Sequence, residues 1–171
     1  SLNPVVHSHL ILNIGGHAYH TLSRVSSAGL DYTKRTNKLA HHLVFEPNEL
    51  PTAGPTELLA DSRVMESEWT GEPHLIIKSR PIPTAASAPL PCTAWKQMTG
   101  SAGWAGKVAE TAVSGRKTFL VFKPGMQMLP LIQEAMALLP EEYQWRVTFT
   151  TYFTKLPPSV DCQWCCVLAG T

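Results

Sequence analysis

Side chains able to do chemistry are densest between Arg24 and His42, a stretch that holds Arg24, Asp31, Tyr32, Lys34, Arg35, Asn37, His41 and His42. Tyr, Arg, Asn and His bind phosphate, carboxylate or the edge of a base, and an imidazole titrating near neutrality serves as a general acid or base. The candidate ligand-binding set is therefore Arg24, Asp31, Tyr32, Arg35, Asn37, His41 and His42. Neighbouring side chains of a strand point to opposite faces, so His41 and His42 cannot both line one site unless the backbone bends. The plainer alternative is a solvated loop fixed by local hydrogen bonds, with one His in the core.

Other clusters point less far. His7, His9, His17 and His20 equal a zinc site in number of ligands, but no carboxylate lies among them to orient an imidazole, and an H-x-H pair lacks the fixed spacing of a metal site. They read as structural or solvent-facing. Cys162-Gln163-Trp164-Cys165-Cys166 contains a C-x-x-C spacing. In an unbroken strand Cys162, Trp164 and Cys166 share a face and Cys165 points away, and no helix follows to lower a thiol pKa. Buried thiols packing beside Trp164, with neither zinc nor a disulfide, are expected. Gly100 to Val108 fails as a phosphate loop: five residues separate Gly100 from Gly106, and Val108 stands where magnesium needs a hydroxyl. Its glycines are expected to allow close helix packing around Trp104. No G-x-S-x-G or H-E-x-x-H occurs. The sequence thus calls for no metal and no cofactor.

Elements able to position these groups follow from pattern. Val5–Ile14 reads as a strand with His7 and His9 on one face; Gly15-Gly16 supplies a two-residue turn, and Ala18–Val25 is the hairpin partner. Ser26–Lys38 is polar and without period, a connector before a short strand at His42–Phe45 that Glu46-Pro47 stops. Thr56 is placed as the cap of a short helix to Arg63, with Leu58 and Leu59 buried. Pro73–Lys78 reads as a strand, and Pro81–Pro91, with four prolines, as an extended connection and the one candidate hinge.

Beyond that hinge, Trp95–Met98 is helical, and Trp104–Val113 forms a helix with Ala105, Val108, Ala109 and Ala112 on its apolar face, ended by Gly115. Thr118–Phe122 is an apolar strand, Met126–Leu139 a helix, Trp145–Tyr152 a strand and Cys162–Leu168 a last strand. Strand, crossover helix and strand argue a parallel βαβ pair. The fold class expected is α/β, or α+β: an N-terminal hairpin region packed on a C-terminal βαβ unit, with a mixed sheet and flanking helices. Neither half buries much surface alone, so residues 1–171 read as one domain.

Composition narrows the partners. Lys and Arg number 14 against 13 for Asp and Glu, a net charge of +1, which leaves no field of one sign to gather nucleic acid or anionic lipid. Cysteine spacing unlike a secreted framework, no signal core and no long apolar run favour the cytoplasm, without membrane contact. Charged residues make up only 16%, below the roughly 25% of an average soluble protein, which suggests apolar surface facing a neighbour. Ser1-Leu2 reads as a cloning remnant, and the strand-like run ending near Thr171 suggests that the parent chain continues.

Taken together, Ser8-His9-Leu10, Arg24-Val25, the run from Asp31 to His42 and Gly103-Trp104-Ala105-Gly106 resemble the N-terminal domain of GTPase-associated proteins of bacterial conflict systems. Leu129-Pro130-Leu131, Leu138-Leu139-Pro140 and Trp145–Tyr152 resemble related domains of large planctomycete or myxobacterial proteins. The resemblance implies an α+β or α/β module of a signalling or defence protein and carries over no catalytic residue. Two functions compete. One is a ligand-sensing or protein-interaction module, whose partner is another protein, another domain of the parent chain or a small anionic ligand. The alternative is an enzyme on a phosphorylated or nucleotide-like small molecule, with His41 or His42 as acid or base and Arg35 as anion clamp. Convergence of Arg35, Asn37 and His42 on one cleft separates them from a purely structural interface.

Overall fold

Gly15 and Gly16 adopt φ of 59° and 84°, the left-handed pair that closes a two-residue hairpin. They join β1 (Val6–Ile14) to β2 (His17–Leu30) in antiparallel register from Val6 opposite Val25 to Ile14 opposite His17. The computed structural model describes residues 4–69, 81–84, 88 and 90–170. The strand expected at Pro73–Lys78 lies outside them.

The supposed connector is itself sheet. β2 runs on to Leu30 and β3 spans Thr36–Phe45, so Ser26 and Ser27 pair with Leu39 and Lys38 in one long hairpin. Pattern hides this because much of the extension is solvent-exposed and therefore polar on both faces. A β-bulge between Ser27 and Leu30 bends its end.

α1 (Pro55–Ala60) follows, begun by Pro55 after Gly54 rather than capped by Thr56, which is buried inside its first turn. α2 (Thr93–Thr99) ends at Gly100, in the left-handed conformation with its N–H donating to the Lys96 carbonyl. α3 (Gly103–Val113) carries Ala105, Val108 and Ala109 into the core. Trp104, however, is 55% exposed, and a Cβ on Gly106 would meet nothing within 4 Å, so close packing around Trp104 is not why those glycines are there. After β4 (Thr118–Phe122), α4 covers only Leu129–Met136, because Pro130 fits nowhere but a first turn. Trp145 caps a short helix, α5 (Glu141–Gln144), and the strand expected from Trp145 shrinks to β5 (Phe149–Thr150). β6 is Trp164–Leu168.

The strands form one mixed sheet in the order β3-β2-β1-β5-β6-β4. β5, β6 and β4 are mutually parallel, with β6 between the two strands that pattern would have paired directly. β1 meets β5 antiparallel through His9 opposite Phe149 and Ser8 opposite Thr150, which makes the sheet continuous.

Register places Thr118, Trp164, Phe149, His9, Leu22 and Leu43 in one row across the sheet, and the next row, from Phe119 through Cys165 to His42, points the other way. The first of these faces carries α1 to α4, whose Leu58, Trp95, Val108, Ile132 and Met136 pack on Leu22, Phe149 and Trp164. Glu134 is buried in this layer: its carboxylate accepts from the Thr93 hydroxyl and the Ala94 and Trp95 N–H groups (3.2, 2.8 and 3.1 Å), capping α2 from α4. On the opposite face Phe119, Val121 and Val44 are exposed.

Candidate functional site

The seven side chains nominated by sequence do not converge. Asp31 Oδ1 accepts from the Thr33 N–H, the Thr33 hydroxyl and the Arg35 N–H (2.8, 2.6 and 2.9 Å), closing the hairpin turn in which Lys34 takes φ of 62°. The Thr33 hydroxyl foremost, then the Arg35 N–H, hold the Asp31 carboxyl below its usual value. Arg35 donates to the Thr33 hydroxyl, and Tyr32 is 97% exposed. The Asn37 side-chain oxygen accepts from the Lys38 N–H. Arg35 and Asn37 are therefore engaged within a hairpin turn and its first paired residues, as in the solvated-loop alternative.

His41 and His42 do face opposite ways. The exposed His42 shares a 2.7 Å hydrogen bond with the Ser23 hydroxyl, its register partner. His41 Nδ1 accepts the Glu66 N–H at 2.8 Å, so that nitrogen is unprotonated in this arrangement. Arg24, opposite His41, donates from Nη1 to the Glu66 carbonyl (3.1 Å) and to the Ser26 hydroxyl (3.0 Å). One cross-strand pair thus binds both polar groups of residue 66 and fixes the segment before it against the sheet.

That segment walls a cleft of about 630 Å³, a size typical of small-molecule sites. Its floor is where the parallel strands end: Phe122 of β4, Leu168 of β6 and Thr151 just past β5 line it. Ligands of open α/β sheets bind outside the carboxyl ends of the strands for the same topological reason. β1, running the other way, contributes His7, and Val5 just before it also lines the cleft; Leu59 and Met65 close one side, and Met126, Met128 and Leu129 the other. The lining is largely apolar, with Arg24, its register partner His7, Gln127 and Gln133 among its polar members. Burial, reinforced by the Arg24 charge, pushes His7 down to about 4, so at neutral pH it is an uncharged imidazole. Asp61 is also in the lining, but its carboxylate is bound by Arg63 at 2.6 Å. Arg24 is the one member of the nominated set that reaches this cleft.

The cleft left no mark in the sequence because its residues come from separated segments, each of which reads as ordinary apolar chain. The nearest signal was the face shared by His7 and His9. His9 lies deeper: Nδ1 donates to the Val147 carbonyl at 2.7 Å, and Nε2 therefore accepts from His20 Nδ1 at 3.0 Å. The two rings stack at 5.3 Å with Trp145 edge-on to both. Burial drives His9 down to about 3 and also lowers His20. These are core imidazoles, and no group of three or more His, Cys, Asp or Glu among the described residues is placed to hold a metal. Nor, among them, is any helix long and apolar enough to cross a membrane.

The cysteines depart from the expected alternation. Both the Gln163 and Trp164 N–H groups donate to the Thr148 carbonyl (3.1 and 3.0 Å), the signature of a bulge just before β6. Gln163 and Trp164 then both reach α3, at the Thr111 carbonyl and hydroxyl, leaving Cys162 and Cys165 on the other side, where the Cys165 sulfur lies 3.4 Å from the Cys162 carbonyl oxygen. Cys162, Cys165 and Cys166 are buried and unbridged, and Trp164 is fully buried as expected.

Two family models match the chain. Residues 1–80 match the one described as GTPase-associated protein 1, N-terminal domain type 2. Residues 92–171, which include Gly103–Gly106 and the whole C-terminal run, match GTPase-associated protein 1, middle domain. The interval between them is the proline-rich stretch. No curated protein and no solved structure matches.

Proposed function

We propose, on the premise that the chain belongs to the GTPase-associated protein 1 family, that it is a ligand-sensing module of a larger signalling or defence protein whose ligand lies in the cleft shared by its N-terminal and middle segments. The observation that carries this reading is the chemistry of that cleft: apolar walls with one cationic side chain, Arg24, beside a neutral His7. Such a site suits an apolar chain ending in one anionic group. Met65, Met126 and Met128 supply a polarizable, adaptable lining, and a guanidinium has N–H donors beyond those that Nη1 directs at Ser26 and Glu66. Binding is favoured over turnover, since His41 and His42 sit on opposite faces and neither lines the cleft.

Decanoate and decanol serve as probes, sharing an alkyl chain and differing in charge. A ligand at 100 times its dissociation constant stabilises by about 2.7 kcal/mol, and a hydrogen bond to a charged group contributes about 1.5–3 kcal/mol. Decanoate is expected to raise the melting temperature well above the effect of decanol, and Arg24→Gln to abolish the difference. Gln127→Trp, placed to fill the cleft without touching the Arg24 clamp, is expected to suppress both shifts. Equal shifts with the two probes, or shifts untouched by Gln127→Trp, overturn the assignment.

A further inference from the structure

We propose that Cys162 and Cys165 form a reversible dithiol–disulfide site that responds to hydrogen peroxide. The pairing arises from the backbone. The bulge at Gln163 and Trp164 shifts the side-chain alternation by one residue, so a C-x-x-C spacing that an unbroken strand divides becomes a pair on one face. Cys162 Sγ lies 3.4 Å from the Trp164 carbonyl oxygen and Cys165 Sγ 3.4 Å from the Cys162 carbonyl oxygen, contacts that fold the segment back on itself.

A cation sits beside the pair. Lys117 immediately precedes β4 and reaches Asp161 Oδ1 at 3.2 Å, and that same oxygen accepts the Cys162 N–H at 2.8 Å. The Cys162 thiol foremost, then the Lys117 charge, hold the Cys165 thiol below its usual value, while hydrogen bonding to Cys165 and burial raise Cys162. One partner is thus suited to be the attacking thiolate and the other to remain a thiol. Cys166, on the opposite face, is pushed up to about 12 by burial, and Cys92 is raised by burial and by Glu134.

The oxidant has to be small, because both residues are buried; Phe119, the register partner of Cys165, stands edge-to-face with Phe153, and the Lys117–Asp161 ion pair adjoins Cys162. Hydrogen peroxide meets that condition. Cys165 loses its proton and attacks one peroxide oxygen; an S–O bond forms, the O–O bond breaks, and hydroxide leaves to take up that proton as water. Cys162 then attacks the sulfenic sulfur; the S–S bond forms, the S–O bond breaks, and the departing hydroxide takes the Cys162 proton. Two thiols and one peroxide become one disulfide and two waters.

The test treats the full chain with hydrogen peroxide, alkylates the remaining thiols after denaturation and maps the peptides by mass spectrometry. A Cys162–Cys165 disulfide reversed by dithiothreitol is expected, with half-exposed Cys92 still alkylated. Lys117→Gln is expected to give the same product several-fold more slowly, because the cation that favours the Cys165 thiolate is gone. Cys162→Ser is expected to leave a sulfenic acid at Cys165 that dimedone traps. Preferential oxidation of Cys92, or a Cys162–Cys165 bridge that forms only in denaturant, overturns the proposal without touching the ligand assignment of the cleft.

Discussion

The long hairpin of the N-terminal segment and the parallel strands of the middle segment use their polar residues in opposite ways. Beyond Arg24 the hairpin is rich in Arg, Asp, Asn and His, and these bind one another: Asp31 holds Thr33 and Arg35, Asn37 holds Lys38, Ser23 holds His42. The parallel half looks inert in sequence, yet its strand ends, the turn before α4 and the start of α4 form about half of the cleft. Density of functional groups is a poor guide where local hydrogen bonds can satisfy them; a site needs groups from distant segments brought to one concavity.

That contrast is broken most severely by separating the two segments. One core cluster spans both, Trp145 Nε1 donates to the Pro51 carbonyl at 3.1 Å, and β1 completes the sheet at β5. Residues 1–80 and 92–171 expressed apart are each expected to lack a cooperative thermal transition, and mixing them to restore one. A sigmoidal melt from either piece alone would show that the segments are independent domains.

Two tryptophans sharpen the comparison within the middle segment. Trp164 is fully buried and donates to the Thr111 hydroxyl, whereas Trp104 is more than half exposed. Trp164→Ala is expected to cost about 3–5 kcal/mol in denaturant unfolding. Trp104→Ala is expected to change stability by less than about 0.5 kcal/mol. Similar losses from both would contradict the burial described.

Acid tests the junction through its imidazoles. His9, His20 and His7 are lowered in the fold from an ordinary value of 6.5, so each binds its proton more readily when unfolded. Their neutral forms favour the fold fully above pH 6.5, and this contribution is lost as pH falls toward about 4 for His7 and about 3 for His9. Buried His9 alone is expected to remove about 1.4 kcal/mol per pH unit in that window. Urea melts of His9→Gln should show a shallower slope; an unchanged slope would mean that other groups carry it.

The smallest effect is expected at the hairpin turn. Asp31→Ala breaks exposed hydrogen bonds and an exposed ion pair with Arg35, and should shift the urea midpoint less than any of the changes above while leaving decanoate binding unaltered. A loss of binding in that variant would return function to the hairpin.

How much of this was legible follows from the same contrast. Gly15-Gly16 announced the first hairpin, and the apolar run Thr118–Phe122 announced β4, because glycine φ and strand burial are local properties. Ser26–Lys38 hid two strand ends, since an extension open to water on both faces has no alternation to read. The bulge before β6 reversed the parity of Cys162, and β6 inserted between β4 and β5, both consequences of pairing with segments far along the chain. The cleft was invisible for that reason too. Arg24 was nominated for its chemistry and reached the cleft because its strand pairs with β1 on the helix-bearing side.

The claim that the ligand lies between the two segments is tested most directly through the methionines. Of the five, Met65, Met126 and Met128 line the cleft, while Met98 on α2 and Met136 inside α4 do not. With methyl-labelled methionine, titration of decanoate followed by NMR is expected to move the signals of Met65, Met126 and Met128 together, with one affinity, and to leave Met98 and Met136 in place. Movement of Met98 alone, or saturable binding seen by another method with all five signals unmoved, would contradict the account.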